Sequence, residues 1–136
     1  MPKLNSYLNF GGNCFEAFTF YKRAFGGEFG MVSRAGDGSM EFPEDEKDLI
    51  MHINLPIGND ILMGSDVFAS FGQEIKLGNN QYVSVSAESK EEADHLFAAL
   101  SEGGKVNMPI SEQFFGYYGE FTDKFGINWM VSMTKF

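Results

Sequence analysis

The chain carries the same succession of local signals twice, and this duplication constrains its fold more than any other feature. In each half, apolar and polar residues alternate as in a strand, and a segment with an apolar stripe at helical spacing follows. A Gly-Gly pair ends each helical segment, and three further strand-like stretches come after it. The repeat predicts two β-α-β-β-β modules, at residues 1–76 and 77–136 of a single domain.

The first half begins with an alternating stretch at residues 4–10, which predicts a strand. Asn13 is followed by Glu16 three positions later, a capping-box spacing that predicts Asn13 as the N-cap of the first helix. Gly26 and Gly27 then predict the end of that helix. Three strands are predicted after it, at residues 27–34, 48–55 and 60–65, with a loop between Arg34 and Asp48.

The second half repeats this plan after a short linker at residues 77–80. Residues 82–86 alternate as a strand, and Ser89 with Glu92 has the spacing of a second capping box. Gly103 and Gly104 predict the end of the second helix. Three more strands are predicted at residues 105–109, 115–122 and 128–134.

Two such modules predict an α+β fold with curved, barrel-like mixed sheets. The concave side of a curved sheet must be filled by side chains or by a ligand. The alternative is a ferredoxin-like sandwich, which would place the helices differently.

Charge and composition exclude several classes of function. The formal net charge is −9, and nucleic-acid binding depends largely on Lys and Arg, so the sequence predicts no nucleic-acid partner. The apolar stretches fall well short of the ~20 residues of a membrane span, and the start lacks the apolar core of a signal peptide, so we expect no membrane contact and a cytoplasmic location. Cys14 is the only cysteine, which excludes an intrachain disulfide; we expect it to serve packing rather than nucleophilic catalysis.

Aromatic residues crowd the last strands of the second half. A surface of this kind suits an apolar or planar ligand. The alternative is that the same residues fill the barrel or a dimer interface. The residues concerned are Phe114, Phe115, Tyr117, Tyr118, Phe121 and Trp129.

Three stretches resemble a known family. Residues 7–14 carry its opening, His52 and the segment 60–66 its middle strands, and residues 122–130 its closing D-K-F-G-x-x-W signature. Together they resemble the PhnB-like (3-demethylubiquinone methyltransferase-like) branch of the vicinal-oxygen-chelate, or glyoxalase/bleomycin-resistance, superfamily. The resemblance implies paired β-α-β-β-β modules and a homodimer whose sheets wrap around two cavities. It does not imply methyl transfer, because the chain lacks a glycine-rich loop that would hold an adenosyl cofactor, and we expect no cofactor.

Metal-dependent members of this superfamily place His, Gln or Glu at four strand positions. Matched onto this chain, the four positions fall near Asn5, Met63 or Gly64, Asn80 and Met130. Amide and thioether groups are poor ligands for most divalent transition metals, and His52 with Asp66 would supply two ligands at most. The sequence therefore predicts no metal site.

Two functional hypotheses follow, and a purely structural dimer module is a third possibility. The first is a metal-free protein that binds a small apolar or aromatic molecule. The second is a metal-assisted lyase, isomerase or dioxygenase that acts on a small oxygenated substrate, with His52, Asp66 or Tyr82 as the residue for proton transfer. The predicted ligand-binding residues are Asn5, His52, Met63, Tyr82, Phe114, Tyr118, Trp129 and Met130.

Overall fold

The computed structural model describes residues 1–133, and the chain divides into two compact units, Met1–Lys76 and Leu77–Phe136. The first unit contains β1 (Ser6–Phe10), α1 (Cys14–Phe25), β2 (Val32–Arg34), β3 (Ile50–Ile57) and β4 (Asp60–Asp66). The second unit contains β5 (Val83–Ser86), α2 (Lys90–Ser101), β6 (Lys105–Gln113), β7 (Gly116–Thr122) and β8 (Asn128–Ser132).

Each unit has a four-stranded mixed sheet with the same strand order. The first sheet runs β1-β4-β3-β2 and the second runs β5-β8-β7-β6. In both, the first strand is parallel to the last, and the remaining neighbours are antiparallel. The α+β class and the duplicated β-α-β-β-β order predicted from the sequence are confirmed.

Strand boundaries differ from the prediction at two edges. The strand predicted at 27–34 is reduced to Val32–Arg34, although Gly30 and Met31 still make backbone hydrogen bonds with Asn54. The Asn54 side chain also accepts the Met31 N–H, at 3.0 Å. Strand β6 continues to Gln113, past the predicted end at Pro109. Proline is tolerated there because β6 is an edge strand, with register shifts on either side of Met108. The predicted end of β8 at Thr134 lies outside the described residues.

Helix α1 packs an apolar stripe against the first sheet. Phe18 and Tyr21 are fully buried, and their rings lie 6.1 and 6.5 Å from that of Phe10 on β1. Gly64 on β4 makes room for this contact, since a Cβ there would lie 2.7 Å from the Phe18 ring. The buried helix stripe and the absent side chain on β4 together fix the helix close to the sheet.

Asn13 occupies the predicted N-cap position of α1, but its side chain does not supply the predicted capping-box hydrogen bond to any of the described residues. The carboxylate of Asp66 takes its place: Oδ1 accepts the N–H groups of Gly12 at 2.9 Å and Cys14 at 3.0 Å. Because β1 and β4 are parallel neighbours, the end of β4 lies beside the start of α1, and a charged acceptor there is favoured over a neutral amide.

The predicted cap of α2 is confirmed. Ser89 Oγ accepts the Glu92 N–H at 3.1 Å, and the Glu92 carboxylate accepts the Glu88 N–H at 3.0 Å. The apolar stripe of this helix is buried against the second sheet, and the Phe97 and Phe121 rings pack edge to face at 5.0 Å. The buried helix residues are Ala93, Leu96, Phe97 and Leu100.

The predicted loop between Arg34 and Asp48 is anchored to the first unit. It contains two short 3-10 helices, Ala35–Asp37 and Glu44–Glu46. Ala35 and Phe42 are buried against Phe68, and the buried Glu46 carboxylate accepts hydrogen bonds from Ser70. In the part of the chain that the structure describes, neither α1 nor α2 has the length and apolar character needed to cross a membrane.

Candidate functional site

Each sheet has one face covered by its helix and another that we call the open face. Period-two alternation separates the two sets of side chains. On β8, Trp129 and Val131 are buried, whereas Met130 between them points to the opposite face and is half-buried. The register places Met130 beside Glu120 on β7, and Glu120 beside Met108 on β6. These side chains therefore form a row across the open face of the second sheet.

Two tyrosine hydroxyls converge on Glu120 in this row. Tyr118 Oη donates to Glu120 Oε2 at 2.7 Å, and Tyr82 Oη donates to Oε1 at 3.4 Å. Tyr118 Oη also lies 3.8 Å from Met130 Sδ. We call Tyr82, Tyr118, Glu120 and Met130 the tyrosine–carboxylate cluster.

Both tyrosines of this cluster are hydrogen-bond donors at neutral pH. Burial, followed by the hydrogen bond to Glu120 and its charge, raises the pKa of Tyr118 above the usual value of 10.0. The pKa of Tyr82 is also raised, by desolvation and then by the charge of Glu120. A phenol with a raised pKa is a poor general base at pH 7, so Tyr82 is suited to binding rather than to proton abstraction.

Apolar groups surround the cluster. The Phe115 ring packs edge to face against Tyr118, with 5.4 Å between centroids. Met108 is 38% exposed and Phe115 is 40% exposed, so both offer apolar surface to a ligand. Phe114, a predicted ligand residue, is fully exposed next to Phe115 between β6 and β7. The open face thus combines a carboxylate, two hydroxyls, thioethers and aromatic rings.

Trp129, another predicted ligand residue, is buried in the core of the second unit. It is 1% exposed, and its indole N–H donates to Asp123 Oδ2 at 2.9 Å. Alternation places it on the opposite face from Met130. Trp129 therefore fills the core of this unit, as one of the two interpretations of the aromatic residues predicts.

A smaller polar group lies on the open face of the first sheet. Tyr7 Oη and His52 Nδ1 are 3.1 Å apart, and the tautomer of the imidazole decides which group donates. Tyr7 pairs with Met63 across β1 and β4, which puts Met63 on the same face. Asn5 precedes β1 and is exposed. Of the predicted residues in this unit, the structure brings His52 and Met63 to the open face, together with Tyr7, which the sequence analysis did not single out.

Asp66 has a different position from the other proton-transfer candidates. It is 3% exposed, and its two carboxylate oxygens accept three backbone N–H groups, those of Gly12, Cys14 and Ile50. A carboxylate held in this way has its acceptor sites occupied by the protein. The geometry supports a structural role for Asp66 at the start of α1.

Within the described part of the chain, the side chains that could bind a metal ion do not come together. Among residues 1–133, no group of three or more His, Cys, Asp and Glu side chains is close enough to hold a metal ion. The positions matched to metal ligands carry amides at Asn5 and Asn80 and thioethers at Met63 and Met130. The donor set does not fit a divalent transition metal, and the metal-free state stays a prediction.

Glu120 is a site residue that the sequence analysis did not name. Its spacing of two residues from Tyr118 is a local signal, since residues i and i+2 of a strand share a face. Its second partner, Tyr82, lies 38 residues away and is brought close by the β5-β8-β7 neighbourhood. The contact with Tyr118 could therefore be predicted from the sequence, whereas the contact with Tyr82 depends on the order of strands in the sheet.

The sequence is similar to a known protein family and to a curated bacterial protein. The family model described as 3-demethylubiquinone-9 3-methyltransferase matches residues 2–132. Protein YjdN from Escherichia coli (strain K12) is 32% identical, in an alignment that covers 99% of this chain and 97% of that protein.

Three solved structures have the same fold as this chain. Protein PA1353 from Pseudomonas aeruginosa is 39% identical, with a TM-score of 0.88 and 97% of each chain covered. The PhnB protein from Bacillus cereus has a TM-score of 0.77 at 24% identity, over 96% of this chain and 98% of that one. A glyoxylase/bleomycin resistance protein/dioxygenase domain from Frankia sp. EAN1pec shares the fold at 17% identity, with a TM-score of 0.66 over 99% of this chain and 98% of that one.

Proposed function

The chain belongs to the 3-demethylubiquinone-9 3-methyltransferase family, the PhnB-like branch with the glyoxalase/bleomycin-resistance fold, and from that premise we propose that it binds a small apolar or aromatic molecule. The family resemblance and the fold predicted from the sequence are confirmed by these matches. The proposed binding surface is the open face of the second sheet.

One observation carries the proposal: the hydroxyls of Tyr82 and Tyr118 converge on Glu120 beside Met130. Small-molecule sites are mostly apolar, with a few polar groups placed to orient the ligand. The cluster has this composition, because the Met130 thioether and the tyrosine rings supply apolar contact around one carboxylate. Phe115 and Met108 extend the apolar surface on either side.

The proposal includes a metal-free protein, a homodimer and a cytoplasmic location. The absence of a fitting donor set at Asn5, Met63, Asn80 and Met130 supports the first of these. The family resemblance supports the homodimer, in which each cavity is lined by a curved sheet. Size-exclusion chromatography with light scattering tests the homodimer by mass, which for a 15.2 kDa chain should be twice that value.

The alternative is a metal-assisted lyase, isomerase or dioxygenase acting on a small oxygenated substrate. The contact between His52 and Tyr7 favours it, because an imidazole hydrogen-bonded to a phenol can transfer a proton. Elemental analysis of the purified protein after dialysis separates the two proposals. One divalent ion per chain surviving dialysis would overturn the metal-free proposal.

The binding proposal is tested with a neutral aromatic probe. Metal-stripped protein with ¹³C-labelled methionine methyl groups is titrated with 2-naphthalenemethanol and followed by NMR. We expect the Met130 methyl signal to shift on binding. Met130→Ala should weaken binding about 5- to 30-fold, the effect of losing the contact of about two buried methylene-sized groups.

Met31→Ala is the matched control, because Met31 is 54% exposed and belongs to the first unit, whereas the cluster belongs to the second. It should leave the affinity unchanged. Equal weakening by both substitutions, or a titration that moves other methionine signals but not that of Met130, would count against this face as the binding surface.

A further inference from the structure

We propose that the ligand bound at the tyrosine–carboxylate cluster carries a positive charge, in the form of an ammonium or amidinium group attached to an apolar or aromatic body. The inference rests on the proposed function and names the chemical class of its ligand. It is carried by the charge and surroundings of Glu120.

Glu120 is a half-buried carboxylate without a cationic partner in the part of the chain that the structure describes. Its hydrogen-bond partners are the neutral hydroxyls of Tyr82 and Tyr118. The four ion pairs found join Lys22, Lys47, Lys76 and Lys90 to other acids. Lys105 pairs with Thr122, two residues along β7 from Glu120, and among the described ion pairs it makes none with Glu120 within 4 Å.

A neutral ligand that covered this carboxylate would remove it from water without compensation. Desolvating a charge is costly unless an opposite charge or strong hydrogen-bond donors replace the water. The two tyrosine hydroxyls supply part of that replacement on the protein side. A cationic group on the ligand would supply the remainder through charge-assisted hydrogen bonds.

The rest of the cluster also suits a cation. Aromatic faces attract ammonium and guanidinium groups. The rings of Tyr82 and Tyr118 lie next to the Glu120 carboxylate, to which their hydroxyls donate. Phe115 packs against Tyr118 and enlarges the aromatic surface. The net charge of −9 adds a long-range attraction for cations.

The test compares two probes of similar shape that differ in charge. Metal-stripped wild-type protein is titrated with 2-naphthylmethylamine, protonated at pH 7, and with the neutral 2-naphthalenemethanol. We expect the amine to bind at least tenfold more tightly. The amine affinity should fall as sodium chloride is raised from 20 to about 500 mM, whereas the alcohol affinity should not, because salt screens charge pairs.

Glu120→Gln keeps the shape of the side chain and removes its charge. We expect the tenfold preference for the amine to disappear in this variant, because the amine should lose far more affinity than the alcohol. Glu91→Gln is the matched control: it removes the same charge from an exposed position in the first turn of α2, and the preference should persist.

The outcomes distinguish the two proposals. If both probes bind equally, or if the preference survives Glu120→Gln, the inference of a cationic ligand is overturned and the binding proposal stands. If neither probe shifts the Met130 methyl signal at millimolar concentration, the binding proposal fails, and the inference fails with it.

Discussion

The carboxylate of Asp66 accepts the backbone N–H of Cys14, 52 residues earlier in the chain, at 3.0 Å. This bond joins the end of β4 to the first turn of α1. The same carboxylate also accepts the N–H groups of Gly12 and Ile50, at 2.9 and 2.8 Å. One buried side chain thus connects a strand, a turn and a helix of the first unit.

Replacing Asp66 with Asn should destabilise the first unit by about 3 kcal/mol. The substitution removes the charge and leaves one carbonyl oxygen where two oxygens now accept three N–H groups. Urea denaturation followed by circular dichroism measures the change in the free energy of unfolding. Asp60→Asn, at the exposed first position of β4, should change it by less than about 0.5 kcal/mol. A loss below about 1 kcal/mol for Asp66→Asn would contradict this role.

The thiol of Cys14 should be unreactive in the native protein. Burial, and secondly the negative charge of Asp66, raise the pKa of this thiol, and its side chain is fully buried. The thiolate is the reactive species, so both effects suppress reaction with a disulfide reagent. We expect one equivalent of thiol to react with 5,5′-dithiobis-(2-nitrobenzoate) in 6 M guanidinium chloride and almost none without it at pH 8. Rapid labelling of the native protein would argue for an activated thiol.

Trp129→Ala should cost about 3–5 kcal/mol of folding free energy, as expected for truncating a buried aromatic residue. The indole is 1% exposed, and its loss also leaves Asp123 without that hydrogen bond. Phe114→Ala is the control, because Phe114 is fully exposed, and its change should stay within about 0.5 kcal/mol. If Trp129→Ala lost little folding free energy but no longer bound the naphthyl probe, Trp129 would have to be counted among the ligand-binding residues.

Tyr118 should ionise later than an ordinary tyrosine. Its folded-state pKa is raised above 10.0 by burial and by Glu120, so the unfolded chain gives up this proton first as pH rises. Its contribution to stability is therefore present below about pH 10 and is lost as pH rises towards the folded-state value. An absorbance titration at 295 nm should show a late-ionising phenol that is absent from Tyr118→Phe. If the variant instead lost a phenol that ionises near pH 10, the contact with Glu120 would be contradicted.

The duplicated order of elements could be predicted from the sequence because the signals that mark helices and strands are local. Ser89 and Glu92 are three residues apart, and the capping bond between them forms within one helical turn. Strand alternation likewise predicts that Tyr118 and Glu120 share a face. The edge boundaries were less predictable, since the segment just before β2 makes backbone and side-chain hydrogen bonds with Asn54, which lies on a different strand.

The sequence by itself determined the order of elements, the cap of α2 and the family, because each depends on residues close together in the chain or on a motif. The tertiary structure alone decided that the Asp66 carboxylate, not the Asn13 side chain, accepts the Cys14 N–H at the start of α1. It also decided that Trp129 lies in the core and that Tyr82 reaches Glu120. These contacts join residues on different strands. Their partners are set by strand order and register, which local spacing does not encode.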